Sequence, residues 1–285
     1  MVATPLVSVI INFFNGEVFL PLAVDSILQQ SFSDFELIIV DDASTDRTRE
    51  QLESIKDPRV RVIRNDQNLG PGGARNVGID AAGGVFCAFL DHDDVALPFR
   101  LHRQVTFLQS NPSVGLVGSA IEVIDAAGKK LATIKMPEAP LAIQWMGLLD
   151  CPMRQSSLMG RTEVVKRHRY ADLPNYSDWD FVMRVAREAE VRNLPDTFIQ
   201  YRRHATNITK LFGVRLDDIG IDLALREIRT ELPEFAISRH EVAELRAVLF
   251  GTQHGAEKKS LEISKRALER YLDLENAFRQ KHGIM

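Results

Sequence analysis

One segment constrains this chain more than any other: the apolar run Val85–Leu90, which passes directly into Asp91-His92-Asp93-Asp94. A short continuous apolar run bounded by Gly83-Gly84 suits a central strand covered on both faces. Three carboxylates then crowd its C-terminal end, which is costly unless a cation sits among them. In open α/β sheets that end is where ligands bind. An Asp-x-Asp there offers hard oxygens to Mg²⁺ or Mn²⁺. The same letters also read as a solvated acidic turn, with Asp94 near the start of the next helix. The segment alone does not choose between them.

The preceding residues supply the context. Val7–Ile11 is continuous and β-branched, so it reads as a buried strand ending at the turn-rich Asn12-Phe13-Phe14-Asn15-Gly16. Leu20, Val24, Ile27 and Leu28 keep helical spacing, and Pro21 is tolerable in a first turn. Phe35–Val40 is a third buried strand and runs into Asp41-Asp42, after which Ser44 or Thr45 is positioned to cap a helix carrying Leu52 and Ile55. Val60–Ile63 reads as a short strand. The loop Asn65–Gly73 then opens a helix whose first turns carry Arg75 and Asn76. Strand and helix alternate at short spacing, which implies right-handed crossovers and a largely parallel sheet. Three strand ends bear polar groups on one edge: the Phe13-Phe14-Asn15 loop, Asp41-Asp42 and Asp91–Asp94. Packing alone explains such a recurrence poorly; a single site explains it well.

Beyond residue 100 the rhythm breaks. A helix with Leu101, Val105 and Leu108 on one face precedes a strand at Val114–Val123, a hairpin turn at Asp125–Gly128 and a strand at Lys130–Ile134. A linker Pro137–Pro140 leads to a short helix through Leu149, and Ser156–Met159 reads as a strand, so the sheet is expected to become mixed. Asn175–Arg187 reads as a helix with a capping box formed by Ser177 and Asp180. A final strand, Phe198–Arg203, runs into His204. From about Val214 strand signals vanish. Leu261, Leu268, Tyr271, Leu272 and Phe278 form an apolar stripe, with Glu262 and Arg266 supporting it at i,i+4. The domain division expected is therefore 1–213 for an α/β domain and 214–285 for a helical appendage. Its stripe is expected to pack on the first domain or on a second copy, with a membrane surface as the weaker alternative because its charges nearly balance.

Composition removes several classes. A net charge of −4 disfavours nucleic acid as the main partner. Cys87 and Cys151 have no metal-ligand spacing and no disulfide framework, as expected in a reducing compartment. The N-terminal run lacks a basic segment and is too short for a signal, and no stretch approaches the length of a membrane span. The location expected is cytoplasmic, with the inner face of a membrane as a further option. Asn207-Ile208-Thr209 matches a glycosylation sequon that carries no meaning there.

In order along residues 5–210, VSVIINFFN, FELIIVDDASTD, NLGPGGARNVGI, FLDHDD, SDWDF and YRRHATNIT resemble glycosyltransferase family two, with its GT-A fold. Each motif is weak alone; six in order are specific. The resemblance implies a mixed, mostly parallel α/β sheet flanked by helices, and inverting transfer from a nucleoside-diphosphate sugar to a hydroxyl acceptor in glycan or polysaccharide synthesis. It also implies a lipid-linked or glycan acceptor and Mn²⁺ or Mg²⁺ as cofactor. Asp42 resembles the carboxylate that accepts the base N3–H, which suits uracil or thymine and disfavours cytosine. Phe14 and Asn15 lie in the loop that helps hold the base, although Phe14 also reads as core. Arg75 resembles a residue beside the nucleotide and also reads as a helix-face ion pair. Asp91 resembles the residue serving ribose and metal, Asp93 the metal ligand itself, and His204 a further metal or diphosphate ligand.

Asp178 resembles the catalytic base, and Ser177 stands where the family commonly has Glu. A helix N-terminus is expected to keep Asp178 ionised at some loss of basicity. Asp180 is the competing candidate, with a cap or an ion pair to Arg184 as its structural alternative. Arg154, Gln155, Ser156 and Trp179 are placed towards the acceptor, Trp179 also reading as core. Three other classes compete with this reading. A sugar nucleotidyltransferase needs a longer Gly-rich loop than Asn12–Gly16. A phosphoacceptor receiver domain leaves SDWDF and YRRHATNIT unexplained. A non-catalytic nucleotide-sugar binder is favoured only by Ser177.

Overall fold

A computed structural model describes residues 4–205, 214–250 and 265–284. Strand β1 (Val7–Phe13) is buried along its whole length and takes the centre of a parallel block. It pairs with β2 (Phe35–Asp41) on one side and β4 (Phe86–Asp91) on the other; β3 (Val60–Arg64) pairs with the outer side of β2. The register sets Asn12 opposite Asp91 and Phe13 opposite Asp41. The three polar strand ends therefore lie side by side because the three strands are in step.

The remaining strands make the sheet mixed. These are β5 (Val95–Ala96), β6 (Val114–Ile124), β7 (Lys130–Ile134), β8 (Met159–Arg161) and β9 (Glu190–Arg202). The sheet order is β3-β2-β1-β4-β8-β6-β9-β5, with β7 alongside β6. Short β8 is antiparallel to both β4 and β6, while the long β6 and β9 run parallel. β9 thereby carries Arg202 and His204 towards the loop that follows β4.

Helices cover both faces. On one, Val7, Val9 and Ile11 join Leu20, Val24 and Ile27 of α1 (Leu20–Leu28). Leu101, Val105 and Leu108 of α4 (Arg100–Ser110) complete that layer. On the other face, Ile10, Ile38 and Val40 meet Ala74 and Ile79 of α3 (Gly70–Ala81). Val165 of α6 (Thr162–His168) and Phe181, Val182 and Val185 of α7 (Ser177–Ala186) fill the rest. α2 (Thr48–Glu53) and α5 (Pro140–Gly147) complete this part of the chain. Alternate residues of β1 feed the two layers, as a strand buried on both faces requires.

Several local expectations are corrected. The helix after β2 begins at Thr48 behind Arg47, with no side-chain cap; Ser44 and Thr45 bind the neighbouring loop instead. Ser177 is the first helical residue of α7, not its cap. The cap position is Tyr176, in the left-handed region at φ 58°, so no Ser177–Asp180 capping box forms. Residues Gln155–Ser157 form a 3₁₀ turn rather than the start of a strand, and β8 begins only at Met159. No sequence signal predicts helix α6 or the first half of β9: α6 is about two turns long, too short for a periodic signal, and β9 opens with alternating charges.

Compact units divide as Met1–Ile143 with Met153–His204, and Gln144–Pro152 with Ala205–Met285. The second contains α8 (Val214–Glu231), α9 (Arg239–Phe250) and α10 (Lys265–His282). Trp145 meets Tyr271 and Phe278 with ring centroids 5.8 and 5.2 Å apart. Ala267, Leu274 and Phe278 are buried, whereas Leu268 and Leu272 are each 48% exposed. The apolar stripe is thus corrected to 267, 271, 274 and 278, a spacing that keeps one helical face. Leu261, Glu262 and the sequon at 207–209 lie outside the described residues, as does the side chain of Arg266. Cys87 and Cys151 are buried and free. Among the described residues no helix is long and apolar enough to cross a membrane.

Candidate active site

The site is built on the C-terminal edge of β1, β2 and β4. The loops after β1 and β2 lock each other. Asn15 and Ala43 both adopt positive φ, 56° and 65°. Asn15 N–H donates to Ser44 Oγ at 2.9 Å, and Asn15 Oδ1 accepts from Thr45 N–H at 2.8 Å. The carboxamide oxygen of Asn15 is thus committed to shaping the loop. Phe14 is 46% exposed while Phe13 is the core residue, so the reading of Phe14 as core is overturned. It stands at the loop tip, where it is accessible.

Asp42 is buried at this edge. Its Oδ1 accepts from Asn65 Nδ2 at 2.7 Å and from Leu69 N–H at 2.9 Å. Both donors come from the loop that opens α3, so that loop fixes the carboxylate's orientation. Oδ2 has no hydrogen bond among the described residues, leaving one acceptor for an N–H donor of a ligand.

Arg75, in the second turn of α3, donates from Nη2 to Asp91 Oδ1 at 2.8 Å and lies 5.4 Å from the Tyr170 ring centroid. Burial works against its charge, but Asp91, Tyr170 and Asp178 together outweigh it and the guanidinium is held above its usual range. The helix-face reading of Arg75 is therefore met by a specific partner at the end of β4.

Asp93 Oδ2 and His204 Nε2 are 2.9 Å apart, joining the loop after β4 to the end of β9. Burial would raise Asp93, but the hydrogen bond from His204 and the charge of His92 outweigh it and hold the carboxyl low. Asp91 turns towards Arg75 instead. Among the described residues no three His, Cys, Asp or Glu side chains converge as a self-sufficient metal cage. A carboxylate and an imidazole in contact still fit a divalent ion shared with a diphosphate, since Mg²⁺-type sites usually take one or two protein ligands plus substrate oxygens.

Asp178 opens α7. Burial pushes its carboxyl above the ordinary range, opposed by the charge of Arg75, the Trp179 N–H and the charge of Arg154. Where a loss of basicity is expected from the helix N-terminus, burial acts on Asp178 in the opposite direction. Asp180 is 2% exposed and bound to Arg184 at 2.8 Å, so it faces protein. Trp179 is 0% exposed and fills the core, leaving no face on which a sugar could stack. Gln155 is buried, its Oε1 accepting from Tyr170 O–H at 3.0 Å. Arg154 precedes the 3₁₀ turn and is partly exposed, its charge acting on Asp178.

Sequence reasoning missed Tyr170 and Phe19, which complete the surroundings. Tyr170 stacks on Phe181 at 4.5 Å and supports both Arg75 and Gln155. Phe19 lies between Arg202, 5.0 Å from its ring, and His204, at 4.8 Å between centroids. Neither residue belongs to a motif; each is positioned by the fold, and no local signal marks it.

Known proteins share the sequence pattern and the fold of this chain. A relative from Haemophilus influenzae, described as an uncharacterized glycosyltransferase, is 30% identical over 73% of this chain and 69% of its own length. A relative from Escherichia coli, named UDP-Glc:α-D-GlcNAc-diphosphoundecaprenol β-1,3-glucosyltransferase WfaP, is 31% identical over 72% of this chain and 80% of its own. The crystal structure of S. aureus TarS residues 1–349 with UDP-GlcNAc matches with a TM-score of 0.66 at 20% identity, covering 96% of this chain and 81% of that one, a likeness of fold. The sequence model of Glycosyl transferase family 2 matches residues 8–204, the stretch that contains every site residue placed above. With that match spanning more than half the chain, on a mixed sheet of the GT-A kind, the chain belongs to glycosyl transferase family 2 and is a glycosyltransferase.

Proposed function

We propose that the chain moves a sugar from a UDP-sugar to a hydroxyl of a glycan or lipid-linked acceptor in polysaccharide synthesis, with inversion at the sugar carbon. The observation carrying this reading is Arg75. It binds Asp91 at the nucleotide edge of the sheet, and its charge also acts on Asp178. One residue thus couples the donor half to the candidate base.

The geometry supports the following division of labour. Asp42 Oδ2 accepts the base N3–H, and exposed Phe14 covers the ring. Asp93 and His204 would hold Mn²⁺ or Mg²⁺, which when bound stabilises the negative charge growing on the departing diphosphate. Asp178 takes the proton of the acceptor hydroxyl as its oxygen bonds to the sugar C1 and the bond from C1 to the diphosphate oxygen breaks. A carboxyl of raised pKa suits that task better than a solvated one. Arg154, beside Asp178, is positioned to meet an anionic group of the acceptor. The relatives' names support this choice: one acts on a diphosphate-linked lipid sugar.

A panel of UDP-, GDP- and CDP-sugars with Mn²⁺ tests the reading by release of nucleoside diphosphate. Release from a UDP-sugar, accelerated by a diphosphate-lipid sugar acceptor, is expected. Release from GDP- or CDP-sugars alone would overturn the assignment of Asp42.

A further inference from the structure

The third aspartate of the Asp91–Asp94 run has no role in the chemistry above, yet it is the most enclosed of the three, 1% exposed. Its two oxygens reach different parts of the fold. Oδ1 accepts from Arg202 N–H at 2.8 Å, on β9 two residues before His204. Oδ2 bonds the hydroxyl of Ser156, in the 3₁₀ turn beside Arg154 and Gln155. Ser156 Oγ in turn accepts the Asp91 N–H at 3.2 Å, and Asp94 N–H returns to Asp91 O at 3.1 Å. The Arg202 guanidinium closes the ring, donating from Nε to Asp93 O at 3.0 Å.

We propose that Asp94 is a positioning residue that holds Asp93 and His204 at metal-binding distance by bonding the two chain segments that carry them. This rests on the reading of Asp93 and His204 as the metal pair. The two segments are far apart in sequence, and β5, which spans the gap by pairing with β9, is only two residues long. Two ladder pairs are a weak constraint on a loop that must present a ligand within tenths of an ångström. Asp94 adds a side-chain bond to Arg202 N–H on the His204 flank, and a second to Ser156, which in turn holds the Asp91 N–H on the Asp93 flank. Groups that orient metal ligands commonly contribute about 10- to 100-fold in metal affinity.

The test is UDP binding by calorimetry with and without Mn²⁺, with bound Mn²⁺ counted by electron paramagnetic resonance. It uses the full chain and Asp94→Ala, Asp94→Asn and Ser156→Ala. In wild type, Mn²⁺ tightens UDP binding. Asp94→Ala is expected to lose that tightening by about tenfold or more, with metal-free UDP affinity close to wild type and a lowered melting temperature, since the buried Arg202 N–H and Ser156 hydroxyl lose their partner. Asp94→Asn, which can still accept from Arg202 N–H and donate to Ser156, is expected to restore most of it. Ser156→Ala removes one of the two arms and is expected to fall between; it decides the matter with Asp94→Asn should Asp94→Ala not fold. A full Mn²⁺ effect in Asp94→Ala or in Ser156→Ala overturns the proposal. So does an Asp94→Asn variant as defective as Asp94→Ala, or a parallel loss of metal-free UDP binding. If wild type itself ignores Mn²⁺, the metal pair is misassigned and both readings fall; a response in wild type that survives in Asp94→Ala removes only the role of Asp94.

Discussion

Helix α3 rests on β1 at Gly78, where a Cβ would lie 2.5 Å from Ile10 Cγ2 and 3.4 Å from Val40 Cγ2. No side chain fits there. This close approach sets the height of α3 above the sheet, and Arg75 sits one turn before it. The reach of Arg75 to Asp91 thus depends on a glycine that touches no ligand.

Gly78→Ala is accordingly expected to destabilise the protein. The better helix propensity of Ala works in its favour by up to about 1 kcal/mol, but forcing a methyl into a filled contact costs about 1–3 kcal/mol. The net loss is read as a lowered denaturant midpoint with unchanged slope. Weaker UDP binding should accompany it, because Arg75 moves with the helix. An Ala variant as stable as wild type would mean that α3 can lift from β1 freely.

Asp93→Ala should abolish the tightening of UDP by Mn²⁺. His204→Ala should weaken it less, since one neutral ligand is lost rather than a charge. Calorimetry with and without Mn²⁺ separates the two. Equal Mn²⁺ enhancement in wild type and Asp93→Ala would move the metal elsewhere.

Much of the proposed donor half was legible in the sequence for a physical reason. Strands β1, β2 and β4 are buried on both faces, so each is written as an unbroken apolar run that stops where polar chemistry begins. Asp42, Asp91 and Asp93 are recognisable at those stops. The acceptor half was less legible because its residues take their roles from tertiary packing. Trp179 looks like a sugar platform in sequence and is a core residue in the fold. Ser177 looks like a cap, yet Tyr176 occupies that position in a left-handed conformation that the sequence does not signal. Asp94 looked like the start of a helix; only the return of β9 beside β4 gives it two partners.

Asp180 separates folding from chemistry. It binds Arg184, whose guanidinium also donates to the carbonyls of His168 and Arg169, tying α7 to the end of α6. Asp180→Asn keeps the shape but weakens a charge-assisted, largely buried bond, with an expected cost of about 1–3 kcal/mol. Chemical denaturation measures that loss, and turnover per folded molecule should be retained. Lost turnover with an unchanged unfolding midpoint would instead mark Asp180 as the base.

Asp178→Asn should show the opposite pattern. It keeps the size of the side chain and removes proton acceptance, so UDP and Mn²⁺ affinities should stay near wild type. Transfer should fall by roughly two to four orders of magnitude, the usual contribution of a positioned base. The raised pKa adds two further expectations. Only the ionised form accepts a proton, so wild-type transfer should fall as pH drops through a value above that of an ordinary Asp, about 3.9. Folding bears the cost of that ionised form. Because the folded protein binds this proton more tightly than the unfolded chain, the Asp178 contribution is unfavourable at neutral pH and is relieved as pH falls through the raised pKa. Asp178→Asn should therefore melt above wild type at neutral pH, and the gap should close under acid. A variant that loses transfer but melts lower at neutral pH would show that the Asp178 carboxylate supports the fold rather than burdening it, and the explanation of its basicity by burial would have to be withdrawn.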